Sequence, residues 1–197
     1  PELPVTRRSM AKRGGRKSRS RRSPSDPLHR QRLDNGLEVV VVPLDHLHTA
    51  TVSLFVKVGS RYEEPSTNGL SHVLEHMVFR GTESHPSAYE LNLAIEELGG
   101  TFDAATHVDY TVYETPLPPE NLDAGLELFA EMFGAPVFQG LDVEKRVLRE
   151  EILEGLDEDG NDIDADNIIR KLMFGDHTLG YKITGSLDNV RSFEAPD

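Results

Sequence analysis

The sequence predicts an α+β fold, a mostly antiparallel sheet with helices packed on one face. Three observations predict it: two clusters of short β-branched or alternating segments, two amphipathic stretches between the clusters, and three helical stretches after them. At 197 residues and 37% hydrophobic content the chain can bury a core of ordinary domain size. No stretch approaches the roughly 18 unbroken apolar residues of a membrane-spanning helix, so no membrane span is expected.

Asn35-Gly36 is a hairpin-turn signal just before the run 37–42 (LEVVVV), which predicts a strand that Pro43 ends. The alternating run 51–58 predicts a second strand, expected to neighbour the first in one sheet. Leu70, Val73, Leu74, Met77 and Val78 recur at steps of three and four, the spacing of a helix over 70–80 with one buried face. A second helix starts at Pro86-Ser87 and puts Ala88, Leu91, Ala94, Ile95 and Leu98 on one stripe before Gly99-Gly100. Segments 101–106 and 110–115 predict strands joined by a turn at 107–109. Helices follow at about 120–133, with Leu122, Leu126, Phe129 and Phe133 as its apolar stripe, then at 142–156 and 164–174. Residues 175–197 predict loop and the start of another helix.

Charge divides the chain in two. Residues 1–32 carry eleven Lys/Arg against two acidic residues, a net of +9, while 33–197 carry ten against thirty-two, a net of −22. Within 7–22 only Met10 and Ala11 are apolar, too little to offset ordering entropy, so residues 1–32 are expected to be a disordered basic tail. Such a tail suits nucleic acid or another anionic surface, an organelle transit role, or docking onto the acidic body. The body offers few positive charges to extend a nucleic-acid patch, so nucleic acid is not the expected partner.

The helix over 70–80 contains His72-Val73-Leu74-Glu75-His76. Histidines at i and i+4 share a face about 6 Å apart, so both imidazoles can reach one metal ion while Glu75 stays near its open side. The His-x-x-Glu-His pattern is the inverzincin signature. Eight His and nineteen Glu would produce it by chance only about 0.03 times in this composition. A hydrolytic zinc site takes a third protein ligand. The chain has no cysteine, so that ligand must be His, Asp or Glu, and the best candidates lie on the acidic helix 144–152.

Here the chain resembles the M16 metallopeptidases, which include the mitochondrial processing peptidase, pitrilysin, the insulin-degrading enzyme and many bacterial zinc peptidases. The likeness runs from about Leu33 to Phe193. Its core is Gly59-Ser60-Arg61-Tyr62-Glu63 leading to Gly69 through Thr82 (GLSHVLEHMVFRGT), and it continues in 99–106 and 144–152. The resemblance implies an M16 or LuxS-like metallohydrolase half with Zn2+ held by His72, His76 and a distal glutamate, and with Glu75 as general base. Glu151, followed by Ile152, matches that glutamate better than Glu150, and Glu144 matches a second acidic residue near the metal. Thr101, Phe102, Asp103, Ala104 and Ala105 match the sheet edge on which the family binds peptide as an added strand; Asp103 stands where the family commonly has Asn.

The implied activity is zinc-dependent endopeptidase cleavage of peptides or unfolded segments. The alternative is a non-catalytic scaffold or partner subunit, although such members usually lose the zinc motif, which this chain retains. These enzymes close a chamber from two related halves, so the expected partners are a peptide substrate and a second M16-like half on the same chain or another subunit. The domain 33–197 is expected to stop before its own last strand. The expected compartment is a bacterial-type cytoplasm, with an organelle matrix or the periplasm also compatible.

Overall fold

In the first part of the chain a tight turn folds a short polar run back onto a valine-rich one. β1 (His29–Arg32) and β2 (Glu38–Val41) pair antiparallel, from His29 opposite Val41 to Arg32 opposite Glu38. The Asn35-Gly36 turn makes this local closure: Leu37 N–H donates to Asn35 Oδ1 at 3.0 Å, and Gly36 adopts a positive φ of 91°. Every residue of both strands is exposed, Val39, Val40 and Val41 included.

The computed structural model describes residues 28–195, which divide after His46 into two compact units, the hairpin and the rest. Two expectations change. His29–Arg32 forms a strand, so the last residues assigned to the basic tail are structured; the remainder of that tail, 1–27, lies outside the described residues. The runs 37–42 and 51–58 are not in one sheet, because the turn gives β2 a local partner whose polar sequence did not announce it.

The second unit begins with β3 (Ala50–Val56). It pairs antiparallel with β5 (Thr111–Leu117), which on its other side pairs antiparallel with β4 (Asp103–Thr106). The order β3-β5-β4 leaves β4 an edge strand among the described residues. Alternation decides the faces: Val52, Leu54, Val56, Ala104 and Tyr113 pack inward, while Ser53 and Phe55 stay exposed.

Helices cover the inward face. α2 (Ala88–Glu97), capped by Ser87 whose Oγ accepts the Glu90 N–H, buries Leu91 and Ile95; α3 (Leu122–Gly134) buries Leu128, Phe129 and Met132 in the same core. α3 corrects one expectation. Its buried side is centred on Gly125, Leu128 and Met132, and Leu126 is exposed, because the helix rests its glycine directly on Leu117 of β5.

A second core joins α1 (Leu70–Val78), α4 (Leu141–Glu154) and α6 (Leu187–Ser192) through Val73, Met77, Leu148, Ile152 and Val190. Between α4 and α6 lies α5 (Ala165–Phe174), an amphipathic helix that buries none of its residues. No helix among the described residues is long and apolar enough to cross a membrane.

Candidate metal centre

The position of α1 starts with a carboxylate outside it. Glu63, itself buried, accepts the Gly69 N–H at 2.8 Å and the Asn68 side-chain amide at 3.0 Å on one oxygen, and the Ser71 N–H at 2.7 Å on the other. It therefore does for the free N–H groups of the helix start what a capping side chain normally does, and adds the favourable interaction of an anion with that end of the helix. The chain near Gly185 closes over the same end. A Cβ on Gly185, whose φ is +71°, would meet Asn68 O at 2.3 Å, so only glycine allows this approach. Asn189 Nδ2 completes the closure with donations to Pro65 O and Asn68 O at 2.8 and 2.9 Å.

With α1 anchored, Val73 and Met77 pack on Leu148 and Ile152 of α4. The stripe next to each apolar pair then faces the other helix. On α1 this stripe is His72 and His76; on α4 it is Glu144 and Glu151, seven residues apart and so two turns apart on one face. Glu151 Oε2 lies 3.6 Å from His72 Nε2, and its Oε1 lies 3.7 Å from His76 Nε2. Glu150 turns to solvent and pairs with Arg149. Ligand-type atoms of His72, Glu75 and His76 lie within 4.8 Å of one another.

These residues fit a zinc ion. Both Nε2 atoms stand from the carboxylate farther than a hydrogen bond reaches, yet close to the separation of about 3.4 Å that tetrahedral geometry sets between ligands 2.0–2.1 Å from a metal. His76 is also oriented from behind, since its Nδ1 lies 3.1 Å from Glu144 Oε2. An ionised carboxylate only accepts, which puts the proton on Nδ1 and leaves the Nε2 lone pair toward the site. Burial lowers the His72 pKa below the ordinary histidine value, with His76 adding to the effect and Glu151 and Glu63 opposing it. A neutral imidazole is the form that ligates a metal.

Glu75 lies beside the two histidines and is held from the sheet. Thr106, the last residue of β4, donates through Oγ1 to Glu75 Oε2 at 2.5 Å and lies 3.2 Å from Thr111 Oγ1. Thr106 has spent its one proton on the carboxylate, so Thr111, fully buried, donates to Thr106. A cleft of about 240 Å³ lined by Glu75, His76, Phe79, Arg80, Ala88, Asn92 and Glu144 opens beside this pair.

The edge residues are spread along the strand. Ala104 and Ala105 lie on β4 near the Thr106 end, and the Asp103 carboxylate accepts the N–H of its own neighbour Ala104 at 3.0 Å. The Phe102 side chain is in the core against Phe79 and Phe129, which leaves its backbone alone for any contact with a ligand. Thr101 lines a separate cavity with Gly99, Gly100 and Pro118. Glu63, Arg80 and Thr106 carry no sequence signal of their own beyond a place in the matched segments. Glu63 sits six residues before the N-cap Gly69, outside the range of any local capping pattern.

The family model described as "Insulinase (Peptidase family M16)" matches residues 39–186. The chain belongs to the M16 peptidase family. Among M16 relatives, a Bacillus subtilis protein named as the uncharacterized zinc protease YmxG is 34% identical over 84% of this chain and 40% of its own length. A Streptomyces coelicolor protein, also named as an uncharacterized zinc protease, is 32% identical over 85% and 36% respectively. Among solved structures, a protease from Helicobacter pylori superposes with a TM-score of 0.73 at 29% identity, over 85% of this chain and 40% of that one. An M16 inactive domain from Pseudomonas fluorescens, at 18% identity over 85% of this chain and 41% of its own, gives 0.75, which shows a shared fold alone. This M16 domain thus spans about 40% of the length of the curated relatives it matches.

Proposed function

We propose that the chain is the metal-bearing half of a zinc-dependent endopeptidase, with His72, His76 and Glu151 as zinc ligands and Glu75 as general base. The observation that supports this most is the convergence of two imidazole Nε2 atoms on one carboxylate, with Glu75 on the same turn of α1 as His76. Bound zinc supplies a Lewis acid for the scissile carbonyl and lowers the pKa of its water to about 7. Glu75 accepts the proton of the attacking water and afterwards delivers it to the leaving amine. Because Thr106 holds Glu75 Oε2, Oε1 is the oxygen left for this transfer. Glu144 keeps His76 in the tautomer that ligation requires.

The free edge of β4 offers backbone groups to a peptide laid down as an added strand, a mode that reads extended backbone before side chains. Thr101, Phe102, Asp103, Ala104 and Ala105 are the proposed peptide contacts, with the Thr106 end nearest Glu75. A second M16-like half, on a longer chain or another subunit, completes the chamber; this rests on the share of its relatives that the chain spans. The proposed compartment is a bacterial-type cytoplasm, on the bacterial origin of those relatives.

The test is cleavage of an internally quenched, unstructured peptide by this chain extended to the length of its relatives. Turnover is expected to vanish on chelation, to return with zinc, and to fall at least about 100-fold in Glu75→Gln, the scale of a lost general base. Turnover that survives Glu75→Gln contradicts the reading.

A further inference from the structure

Arg80 lies one helical turn beyond His76 on the chain that leaves α1, and its guanidinium reaches the start of α4. Its Nη1 donates to Glu144 Oε1 at 2.9 Å, while the other oxygen of the same carboxylate faces His76 Nδ1 at 3.1 Å. Glu144 is 7% exposed, so its charge is expensive to hold there without a cation. Among the described residues Arg80 is the one Lys or Arg within ion-pair distance of Glu75, Glu144 or Glu151.

The backbone of α4 leaves room for this contact. Gly140, the N-cap of α4, has a φ of +77°, and a Cβ there would come within 2.9 Å of Arg80 Nη2. The guanidinium thus sits against the glycine that begins α4 while it holds the glutamate one turn into that helix.

We propose that Arg80 is a positioning residue for the metal centre, acting through Glu144 to fix the His76 imidazole. The guanidinium holds one oxygen of Glu144 and so turns the other toward His76 Nδ1–H, which holds Nε2 toward the ligand position. One partner of Glu144 is on the last turn of α1 and the other just past its end, so the carboxylate of α4 is clamped between them and the two helices keep the offset that brings Glu151 to both histidines. The inference rests on the zinc reading above and concerns how tightly the ion is held.

The test uses the 197-residue chain and zinc alone, with affinity read by competition against a chromophoric chelator at fixed pH. Arg80→Gln is expected to weaken zinc about 10- to 100-fold, the usual effect of losing an outer partner of a metal ligand. Arg80→Lys, which keeps the charge, is expected to stay within about threefold of the parent, outside what a loss of packing would spare. In a Glu144→Gln background, Arg80→Gln is expected to change affinity less than twofold, because Arg80 acts through that carboxylate. An unchanged affinity in folded Arg80→Gln, or equal losses with and without Glu144, overturns the proposal. Should Arg80→Gln fail to fold, Gly140→Ala displaces the guanidinium without removing it, and affinity equal to the parent there overturns the proposal as well. Absence of zinc from the parent chain instead removes the zinc reading itself.

Discussion

At its N-terminal end α1 is held by neutral amides converging on one buried carboxylate, Glu63, whereas at its C-terminal end the imidazole of the last turn and a guanidinium just past it share another, Glu144. The first arrangement takes two of its three bonds from the backbone and fixes where the helix begins. The second is side chain to side chain and fixes how one ring on the helix is turned. The difference is visible in the two histidines: His76 has Glu144 behind it, while the buried Nδ1 of His72 has no hydrogen-bond partner. Rigid placement of His72 must come from the helix start, and that of His76 from its own carboxylate.

Removing Glu63 should therefore be the most damaging change to stability. Glu63→Ala strands two backbone donors and leaves the Asn68 amide only its bond to Lys182 O, and we expect a loss on the order of 3 kcal/mol, read as a fall in the urea midpoint; a loss below about 1 kcal/mol would show that the helix start does not depend on it. Gly185→Ala comes next, at about 2 kcal/mol, because its Cβ collides with Asn68 O. Gly160→Ala has a similar φ of +82° with nothing within 4 Å, so it should cost about 1 kcal/mol from backbone strain alone. Equal effects at the two glycines would show that the closure over α1 is loose.

A smaller effect is expected at Glu131 of α3, which ties down the loop after α1. Its carboxylate accepts from Thr82 Oγ1 and from the Ser84 N–H, and these bonds, that of Thr82 first, hold its pKa below the usual glutamate value, with His85 adding a little. A carboxyl lowered on folding contributes stability above its unfolded pKa of about 4.3 and loses it as pH falls through the folded value. Glu131→Gln should cost about 1 kcal/mol at pH 7 and flatten the decline in melting temperature below about pH 4.5; an unaltered acid limb contradicts the assignment. The smallest effect is at Leu172 of α5, 80% exposed, where Leu172→Gln should stay within about 0.5 kcal/mol. A larger loss would mean that this face of α5 is covered.

How much of this the sequence disclosed follows from range. His72, Glu75 and His76 were legible because their geometry is internal to one helix turn, and Glu151 through a likeness to known proteins. The helix over 88–97 was legible from its apolar stripe and from its start at Pro86-Ser87. The partner of β2 was hidden because His-Arg-Gln-Arg carries no strand signal of its own and continues a basic tail. The stripe of α3 placed Phe129 and Phe133 on the core side but misplaced Leu126, because glycine adds nothing to an apolar stripe, although Gly125 rests on Leu117 of the sheet. Thr106 and Arg80 act across 31 and 64 residues of sequence, a distance at which no local pattern operates.

The central claim is that α1 and α4 together hold one zinc ion. Elemental analysis of the chain after mild chelation and zinc replacement, beside His72→Ala, Glu150→Gln and Glu151→Gln, tests it most directly. The account predicts one zinc per chain in the parent and in Glu150→Gln, and its loss in the other two. Zinc retained by Glu151→Gln, or none bound by the parent, would contradict it.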